Sequence, residues 1–226
     1  MKSVGRVNRK HSPTYGKKKG KPMSQAVSRI ILSTAFAAVL ALPGTAASNT
    51  WTIDPNHSSA QFAVRHLGLS TVRGAFTKVN GTVELDSTDI GKSSVNVTID
   101  AASVDTRVEA RDKDLKSDHF FDVEKYPTIT FKSTKVEQSG PGQLKVTGDL
   151  TIHGTTKPVV LEVEGPNGPA KDPWGNQRMA ATATTKVNRQ DYNVKWNATM
   201  DNGGLVVGND VAITIDIEMI QKPAAK

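Results

Sequence analysis

Apolar residues at alternate positions are the feature that most restricts the fold of this chain. The clearest run lies near the end of the sequence and consists of Val211, Ile213, Ile215, Ile217 and Met219. A period of two places these side chains on one face of a β-strand. About eight runs of this kind follow residue 50, separated by short turns and not alternating with helices. The pattern predicts an antiparallel all-β domain.

Two architectures bury one apolar face of eight antiparallel strands: a sandwich and a closed barrel. A barrel leaves no strand edge exposed, and eight strands make it wide enough to be filled by side chains or to hold one small ligand. The inward positions carry many Val and Ile and few aromatics. Because these side chains are of medium size, we expect an eight-stranded antiparallel barrel with a cavity.

Glycine and proline mark the predicted turns. Gly68 and Gly74 bracket a short bend. Asn80-Gly81 lies inside a run that we interpret as one long strand with a bulge or bend, because a hairpin there would leave a very short first arm. The stretch 165–176 is rich in both residue types and is predicted to be a loop, with Trp174 near its end.

Residues 106–127 interrupt the β pattern. Their first half is densely charged, and its sparse apolar stripe would touch the domain through Val108 and Leu115, so a helix here belongs on the surface. Two large aromatics, Phe120 and Phe121, follow directly. We interpret the segment as a helix over the barrel mouth with two aromatics that plug the opening. The alternative is a crossover connection with two ordinary core aromatics.

The first part of the sequence has the composition of an export signal. Residues 1–22 contain eight Lys or Arg and no acid, and an apolar run and a cluster of small residues follow. This order predicts a basic extension and secretory signal peptide over residues 1–47, cleaved near Ala46 or Ala47. The apolar run is short for a membrane anchor, which is the alternative. Met23 begins a more typical signal than Met1 does.

Residues 48–226 form the predicted barrel domain, and their charge differs from that of the whole chain. Nine of the 29 Lys and Arg lie within residues 1–47 and none of the 22 Asp and Glu does, so the domain carries a slight excess of acid. Nucleic-acid binding therefore has no support in the composition. The absence of cysteine excludes thiol catalysis and thiolate metal sites. Export without disulfides indicates a bacterial periplasm or the cell exterior.

An enzyme is the main rival to a binding function. The histidines of the domain are scattered, at His57, His66, His119 and His153, and no His-Glu-x-x-His motif joins any two of them. The sequence has no Gly-x-Ser-x-Gly elbow and no glycine-rich phosphate loop. Two alternatives stay open, a secreted metal-dependent enzyme and a ligand-free structural or stress-response module.

Several motifs, in order from Trp51 to about Gln221, resemble those of the YceI-like, polyisoprenoid-binding proteins. They are Trp51-x-Ile53-Asp54-x-x-His57-Ser58, Phe62-x-Val64-x-His66, Ser70-x-Val72-x-Gly74-x-Phe76, Arg111-Asp112-x-x-Leu115, Asp118-x-Phe120-Phe121-Asp122-Val123, Tyr126-Pro127-x-Ile129-x-Phe131-x-Ser133, Gly148-x-Leu150-Thr151-Ile152-x-Gly154-x-Thr156-Lys157, Asn188-Arg189-x-Asp191-Tyr192 and Val207-Gly208-Asn209-Asp210-Val211. Asn193 departs from the pattern, which has glycine after the aromatic.

The resemblance implies an extended lipocalin-like barrel in the periplasm. Its long apolar channel would hold a polyisoprenoid, an isoprenoid quinone or a similar amphiphile, with no catalytic residue, no metal and no cofactor besides the lipid. A homodimer and transient contact with the inner membrane stay open as further associations. The expected ligand-binding residues are Phe62, Val64, His66, Phe76, Val97, Ile99, Arg107, Asp112, Leu115, Phe120, Phe121, Ile129 and Phe131.

Three of these residues are polar, and we expect them where a lipid head group sits. They are His66, Arg107 and Asp112. The remaining ten form an apolar lining that holds hydrocarbon without polar contacts. The alternative for the charged residues of the segment is a set of surface ion pairs that contribute little to stability.

Overall fold

The structure, a computed structural model, describes residues 50–221, so the predicted signal peptide lies outside the described residues. The helices are α1 (Glu109–Lys116) and 3-10 turns at Ile90–Lys92, Ala101–Ser103 and Arg189–Tyr192. The strands are β1 (Thr50–Ile53), β2 (Ser59–His66), β3 (Ser70–Phe76), β4 (Val79–Glu84), β5 (Ser94–Asp100), β6 (Val104–Asp105), β7 (Thr128–Gly140), β8 (Gln143–Ile152), β9 (Thr155–Lys171), β10 (Gln177–Asn188) and β11 (Val207–Gln221). Between residues 50 and 221 the chain forms no helix with the length and hydropathy needed to span a membrane.

The strands form one antiparallel sheet that closes on itself. β11 pairs with β10 on one side and with both β1 and β2 on the other. β1 and β2 are two halves of one strand path, because Ile53 pairs with Met219 and Ser59 with Asp216 on the same edge of β11. β3 with β4 and β5 with β6 are interrupted in the same way. Counted as paths, residues 50–221 form the predicted eight-stranded barrel with neighbours in chain order.

The three interruptions have local causes. After β1 the Asp54 carboxylate accepts hydrogen bonds from the backbone N–H of Asn56 and from His57, which turns the chain before it rejoins β11. Between β3 and β4 the Thr77 backbone N–H donates to the carbonyl of Ser103, which lies in the matching break between β5 and β6. This hydrogen bond joins the break between β3 and β4 to the break between β5 and β6, so the two neighbouring strand paths bend at the same place.

Two predictions about turns need correction. Gly74 does not bend the chain but lies inside β3, where a Cβ would come within 2.4 Å of the Phe62 ring; the hairpin turn lies at Leu67-Gly68. Asn80-Gly81 lies within β4 and forms no hairpin, as expected, but the path breaks at Thr77 instead of running on. The glycine of that pair is required because a Cβ there would lie 2.2 Å from the backbone oxygen of Asn96.

The predicted loop 165–176 is wrong over most of its length. β9 continues to Lys171 and pairs with β10, with register shifts near Ala180. Bulges of this kind let a strand accommodate prolines, which cannot donate to the ladder. The turn is confined to residues 172–176, where the Asp172 carboxylate accepts hydrogen bonds from the backbone N–H groups of Trp174 and Asn176.

The connections separate into two ends of the barrel. At one end, called the helix end below, lie the hairpin at residues 67–69, the segment 106–127 that contains α1, the turn at His153-Gly154 and the segment 189–206. The opposite end carries residues 85–93, 141–142 and 172–176. Trp51, Ile53 and Met219 are buried toward that opposite end. These three side chains belong to the buried core of the barrel.

Candidate functional site

The barrel encloses an apolar cavity. Its volume is about 250 Å³. Among residues 50–221, forty line it, and six of those carry a polar group. The six are Gln61, Ser93, Thr130, Thr185, Arg189 and Tyr192. The remaining side chains offer only hydrocarbon, thioether or aromatic surface to an occupant.

The cavity is elongated along the strands. β8 contributes Leu144, next to its first residue, and Ile152, its last. Ile152 follows Leu144 by eight positions, which is roughly 25 Å along the strand. Gly148 lies midway on the same face, and the Phe131 ring occupies the position where a Cβ would stand. A long, narrow occupant fits this arrangement better than a compact one.

The inward face of β11 shows that the interior is not filled by side chains. Val211, Ile213, Ile215 and Ile217 alternate along this strand and line the cavity, but each is only half-buried. In a fully packed core such residues would lose nearly all their accessible surface. The surface they retain faces the empty space inside the barrel.

The helix end is covered by the aromatics of the segment 106–127. Phe120 is buried, and the Phe121 ring stands edge-on to the Phe76 ring with centroids 5.3 Å apart. Phe76 in turn lies 5.9 Å from Phe62. Together with Leu115 from α1, these rings line the cavity at this end. The segment is thus the connection between β6 and β7 and also the cover of the barrel, as predicted.

The charged residues of the segment hold it in place. The Asp112 carboxylate accepts hydrogen bonds from the backbone N–H and hydroxyl of Thr106, at 2.8 and 2.5 Å. The Arg111 guanidinium donates to the hydroxyl and carbonyl of the same residue. After α1 the backbone N–H of Phe121 donates to the carbonyl of Leu115, which turns the aromatic pair back toward the barrel.

A second segment, 189–206, meets the first at the same end. The Trp196 ring lies 5.4 Å from Phe120 and stacks at 6.2 Å on His119. The Arg189 side chain is buried and fastens this segment through donations to backbone carbonyls that include those of Val194 and Trp196. Two connections distant in sequence therefore close one end of the barrel together.

Ten of the thirteen predicted site residues line the cavity. They are Phe62, Val64, Phe76, Val97, Ile99, Leu115, Phe120, Phe121, Ile129 and Phe131. The remaining three, His66, Arg107 and Asp112, do not. His66 is the last residue of β2 and is not among the lining residues, although its paired residue Val207 is. Asp112 is committed to Thr106, and Arg107 is exposed in a left-handed conformation with φ of 62°. The geometry therefore does not support the predicted head-group position.

Sequence reasoning missed Arg189 and Tyr192 as cavity residues. Both lie in the 3-10 turn after β10, and both are buried. They were visible in the sequence as part of the family motif, although nothing in its spacing indicated which way they point. Asn193, where the family has glycine, ends this turn in the left-handed conformation with φ of 60°. Asparagine tolerates this region, so the turn is preserved.

A partly buried charge network lies away from the cavity lining. The Arg178 guanidinium bonds Asp54 at 2.9 Å and Asp172 at 2.8 Å, and also contacts Glu218. Burial alone would raise the pKa of Asp54, but the hydrogen bonds from His57 and Arg178 outweigh it and hold that pKa below its usual value. Hydrogen bonds from Asn176 and Arg178 likewise lower the pKa of Asp172 in spite of desolvation.

One group of side chains in the described residues has metal-ligand spacing. Asp54, His57 and Glu218 bring ligand atoms within 4.8 Å of one another. The Arg178 guanidinium already bonds both carboxylates of this group. Because a cation occupies the space between the two acids, the arrangement is better suited to an ion-pair network than to a metal ion.

The closed antiparallel barrel with a long apolar cavity defines a lipocalin-like protein. Residues 51–219 match the YceI-like domain, and the chain belongs to the YceI-like family. A UPF0312 protein of Vibrio cholerae serotype O1 is 40% identical over 171 residues, which cover 75% of this chain and 90% of that protein. The resemblance found in the sequence motifs is thereby confirmed.

Two solved structures show the same fold. Burkholderia cenocepacia BcnA has a TM-score of 0.64 at 24% identity, covering 74% of this chain and 98% of that one. A polyisoprenoid binding domain from Saccharophagus degradans has a TM-score of 0.56 at 16% identity, covering 76% of this chain and 98% of that one. At these identities the likeness establishes the architecture of the barrel.

Proposed function

We propose that this protein binds a polyisoprenoid, an isoprenoid quinone or a similar long-chain amphiphile in its cavity and carries or stores it in the periplasm. The observation that carries the proposal is the lining, in which six of forty residues among those described bear a polar group. A ligand that is mostly hydrocarbon is held by contact with apolar side chains and needs few polar partners. Its burial contributes roughly 0.8 kcal/mol per CH₂ group.

The shape of the cavity supports a chain-like ligand. Lining residues run the length of β8, from Leu144 to Ile152, so several isoprene units would lie end to end between the strands. The name of the Saccharophagus degradans domain, which shares the fold, points to the same class of ligand. The export signal predicted for residues 1–47 supports a periplasmic location, where such lipids pass between membranes.

A binding function is also better supported than catalysis. The cavity brings no pair of carboxylates and no histidine together among the residues described. Three acidic side chains that meet at one guanidinium, Asp54, Asp172 and Glu218, are all bonded to Arg178. General acid–base chemistry most often uses histidine or a carboxylate within reach of a bound substrate, and the lining contributed by residues 50–221 contains neither. A homodimer and contact with the inner membrane stay predictions.

Native mass spectrometry of gently purified protein tests the proposal. We expect a defined mass increment that organic extraction releases as an isoprenoid lipid. The matched pair of variants lies on adjacent residues of β11: Ile213→Lys places a charge in the cavity wall, whereas Ala212→Lys changes an exposed position. The first should lose the lipid and the second should keep it. A ligand-free wild-type protein without affinity for prenyl lipids or quinones would contradict the proposal.

A further inference from the structure

Large hydrophobic side chains are exposed mainly at the helix end of the barrel. Six are exposed among residues 50–221: Leu69, Val108, Val160, Trp174, Trp196 and Leu205. Four of the six lie in the connections of the helix end, whereas Trp174 lies at the opposite end. Single exposed hydrophobic residues are common on protein surfaces, but their concentration at one end of a molecule is typical of an interaction site.

Hydrogen bonds bring three of these residues to one region, which is called the apolar rim below. They are Leu69, Trp196 and Leu205. The backbone N–H of Leu67 donates to the carbonyl of Val206 at 2.8 Å, so the hairpin 67–69 lies against the segment 189–206. The backbone N–H of Val206 donates in turn to the carbonyl of Ala198 at 2.9 Å. The apolar rim is therefore a surface that two connections share.

The apolar rim is continuous with the cover of the cavity. The Trp196 ring lies 5.4 Å from the ring of Phe120, which is buried and lines the cavity. None of the three rim residues is itself part of the lining that residues 50–221 form. A partner bound at the apolar rim would therefore lie directly outside the cover, without entering the barrel.

Two cations without an acidic partner flank the apolar rim. The Arg65 guanidinium donates to the carbonyls of Gly68 and Leu69 at 2.8 and 3.0 Å, so it lies beside the tip of the hairpin. Lys195 is exposed and directly precedes Trp196. Neither cation takes part in an ion pair within the described part of the chain. Exposed apolar side chains, a tryptophan and adjacent cations together suit the surface of a bilayer that contains anionic phospholipid.

We propose that the apolar rim docks the protein on the surface of an anionic phospholipid bilayer, with the helix end toward the lipid. This inference rests on the proposed function, because a ligand that is mostly hydrocarbon is costly to transfer through water. Contact between the covered end of the barrel and a bilayer avoids that transfer. A protein partner fits less well, because a specific interface buries about 800 Å² on each side and the rim presents only three side chains.

Co-sedimentation with vesicles of phosphatidylethanolamine and phosphatidylglycerol tests the inference. The wild-type protein should bind. Leu69→Glu should lower the affinity roughly tenfold or more, because it replaces an inserted apolar side chain by a charge of the same sign as the lipid. Trp174→Glu is the matched control, since Trp174 is 78% exposed at the opposite end and Leu69 is 80% exposed at the helix end. Equal losses in the two variants, or no binding by the wild type, would overturn the inference.

A second pair of variants tests the cations. Lys195→Gln should weaken vesicle binding by about fivefold at low ionic strength, as expected for one cation near an anionic bilayer. The effect should be smaller than that of Leu69→Glu, because acids of the segment 106–127 lie at the same end. Lys171→Gln removes an exposed cation from the opposite end and should bind as the wild type does. Equal losses in the two lysine variants would show that attraction is spread over the whole molecule and would overturn docking through the rim.

Uptake of menatetrenone, an isoprenoid quinone, separates docking from lipid binding. Because Leu69 does not line the cavity, Leu69→Glu should bind menatetrenone added from ethanol with wild-type affinity. At low vesicle concentration the same variant should extract menatetrenone from vesicles roughly tenfold more slowly, in proportion to its docked fraction. Equal extraction rates for the variant and the wild type would overturn the inference and leave lipid binding intact.

Two further outcomes concern the partner and the ligand. Binding to native membranes that depends on Leu69, without binding to protein-free vesicles, would assign the apolar rim to a membrane protein and overturn the bilayer as its partner. Docking of a wild-type protein that takes up neither menatetrenone nor geranylgeraniol would contradict the proposed function and support the docking surface.

Discussion

The rings of Phe121 and Phe76 meet edge to face, with centroids 5.3 Å apart and an angle of 74° between their planes. Phe76 belongs to the barrel wall and Phe121 to the segment that follows α1. Their contact thus joins the cover of the cavity to its wall. A pair of this geometry contributes about 0.5–1.5 kcal/mol beyond the area it buries.

Phe121→Asp should weaken lipid retention by roughly tenfold or more, because it removes a large apolar surface from the lining and places a carboxylate there. Quantification of lipid extracted from purified protein measures the effect, and circular dichroism should still show the β fold. Phe121→Leu is the matched control and should retain most of the lipid. Full retention by Phe121→Asp would remove this residue from the binding site.

Asp112→Ala should destabilise the helix segment, because it leaves the backbone N–H and hydroxyl of Thr106 without their acceptor. We expect a loss of about 1–3 kcal/mol in the free energy of unfolding, measured by urea denaturation. Asp118→Ala changes an exposed acid of the same segment and should stay within about 0.5 kcal/mol of the wild type. Equal effects of the two substitutions would contradict this role for Asp112.

The stability of the barrel should fall in acid because of the network around Arg178. The pKa values of Asp54 and Asp172 are lowered in the folded protein, so folding holds these groups ionised and the stabilisation is complete above their unfolded pKa near 4. It should be lost progressively as the pH falls below about 4 toward the lower folded values. Urea denaturation at a series of pH values measures how the free energy of unfolding changes with pH.

Arg178→Leu should be less stable than the wild type at neutral pH. Its free energy of unfolding should also decline less steeply in acid, because the guanidinium no longer lowers the pKa values of Asp54 and Asp172. Lys186→Leu is the control. Its ion pair with Asp210 is exposed, with side chains 65% and 60% accessible, and such pairs contribute little. An acid profile of Arg178→Leu that parallels the wild type would show that the network does not govern acid stability.

Gly81→Ala should destabilise the barrel by about 1–3 kcal/mol, since its Cβ would lie 2.2 Å from the backbone oxygen of Asn96 on the paired strand and neither backbone can move freely. Thermal or urea unfolding measures the cost. Gly208→Ala is a milder control within β11, because its nearest neighbour would be the Arg65 Cβ at 3.3 Å. A smaller cost at Gly81 than at Gly208 would contradict the predicted clash.

Much of the cavity wall was predictable because strand geometry is local. Once a segment is extended, alternate residues face the same side, so Phe62 and Val64 on β2, or Ile129 and Phe131 on β7, must share the interior of a closed sheet. The aromatic pair after α1 was predictable for a different reason: two large apolar side chains beside a highly charged helix need a place to be buried.

The polar end of the cavity was not predictable in this way. His66, Arg107 and Asp112 had the right chemistry for a head group, but whether a polar side chain faces the cavity or bonds its own segment depends on nearby donors such as those of Thr106. The extension of β9 to Lys171 likewise depended on its pairing with β10, which a composition rich in proline and glycine conceals.

By itself the sequence determined the antiparallel barrel, its apolar inward face and the YceI-like family, because a period of two and a set of ordered motifs are properties of the chain. Only the tertiary structure decided which polar residues come to line the cavity. Tyr192 comes to line the cavity because the buried Arg189 fastens the 189–206 segment to carbonyls up to 19 residues away, among them that of Gly208. Long-range hydrogen bonds of this kind leave no periodic signal in the sequence.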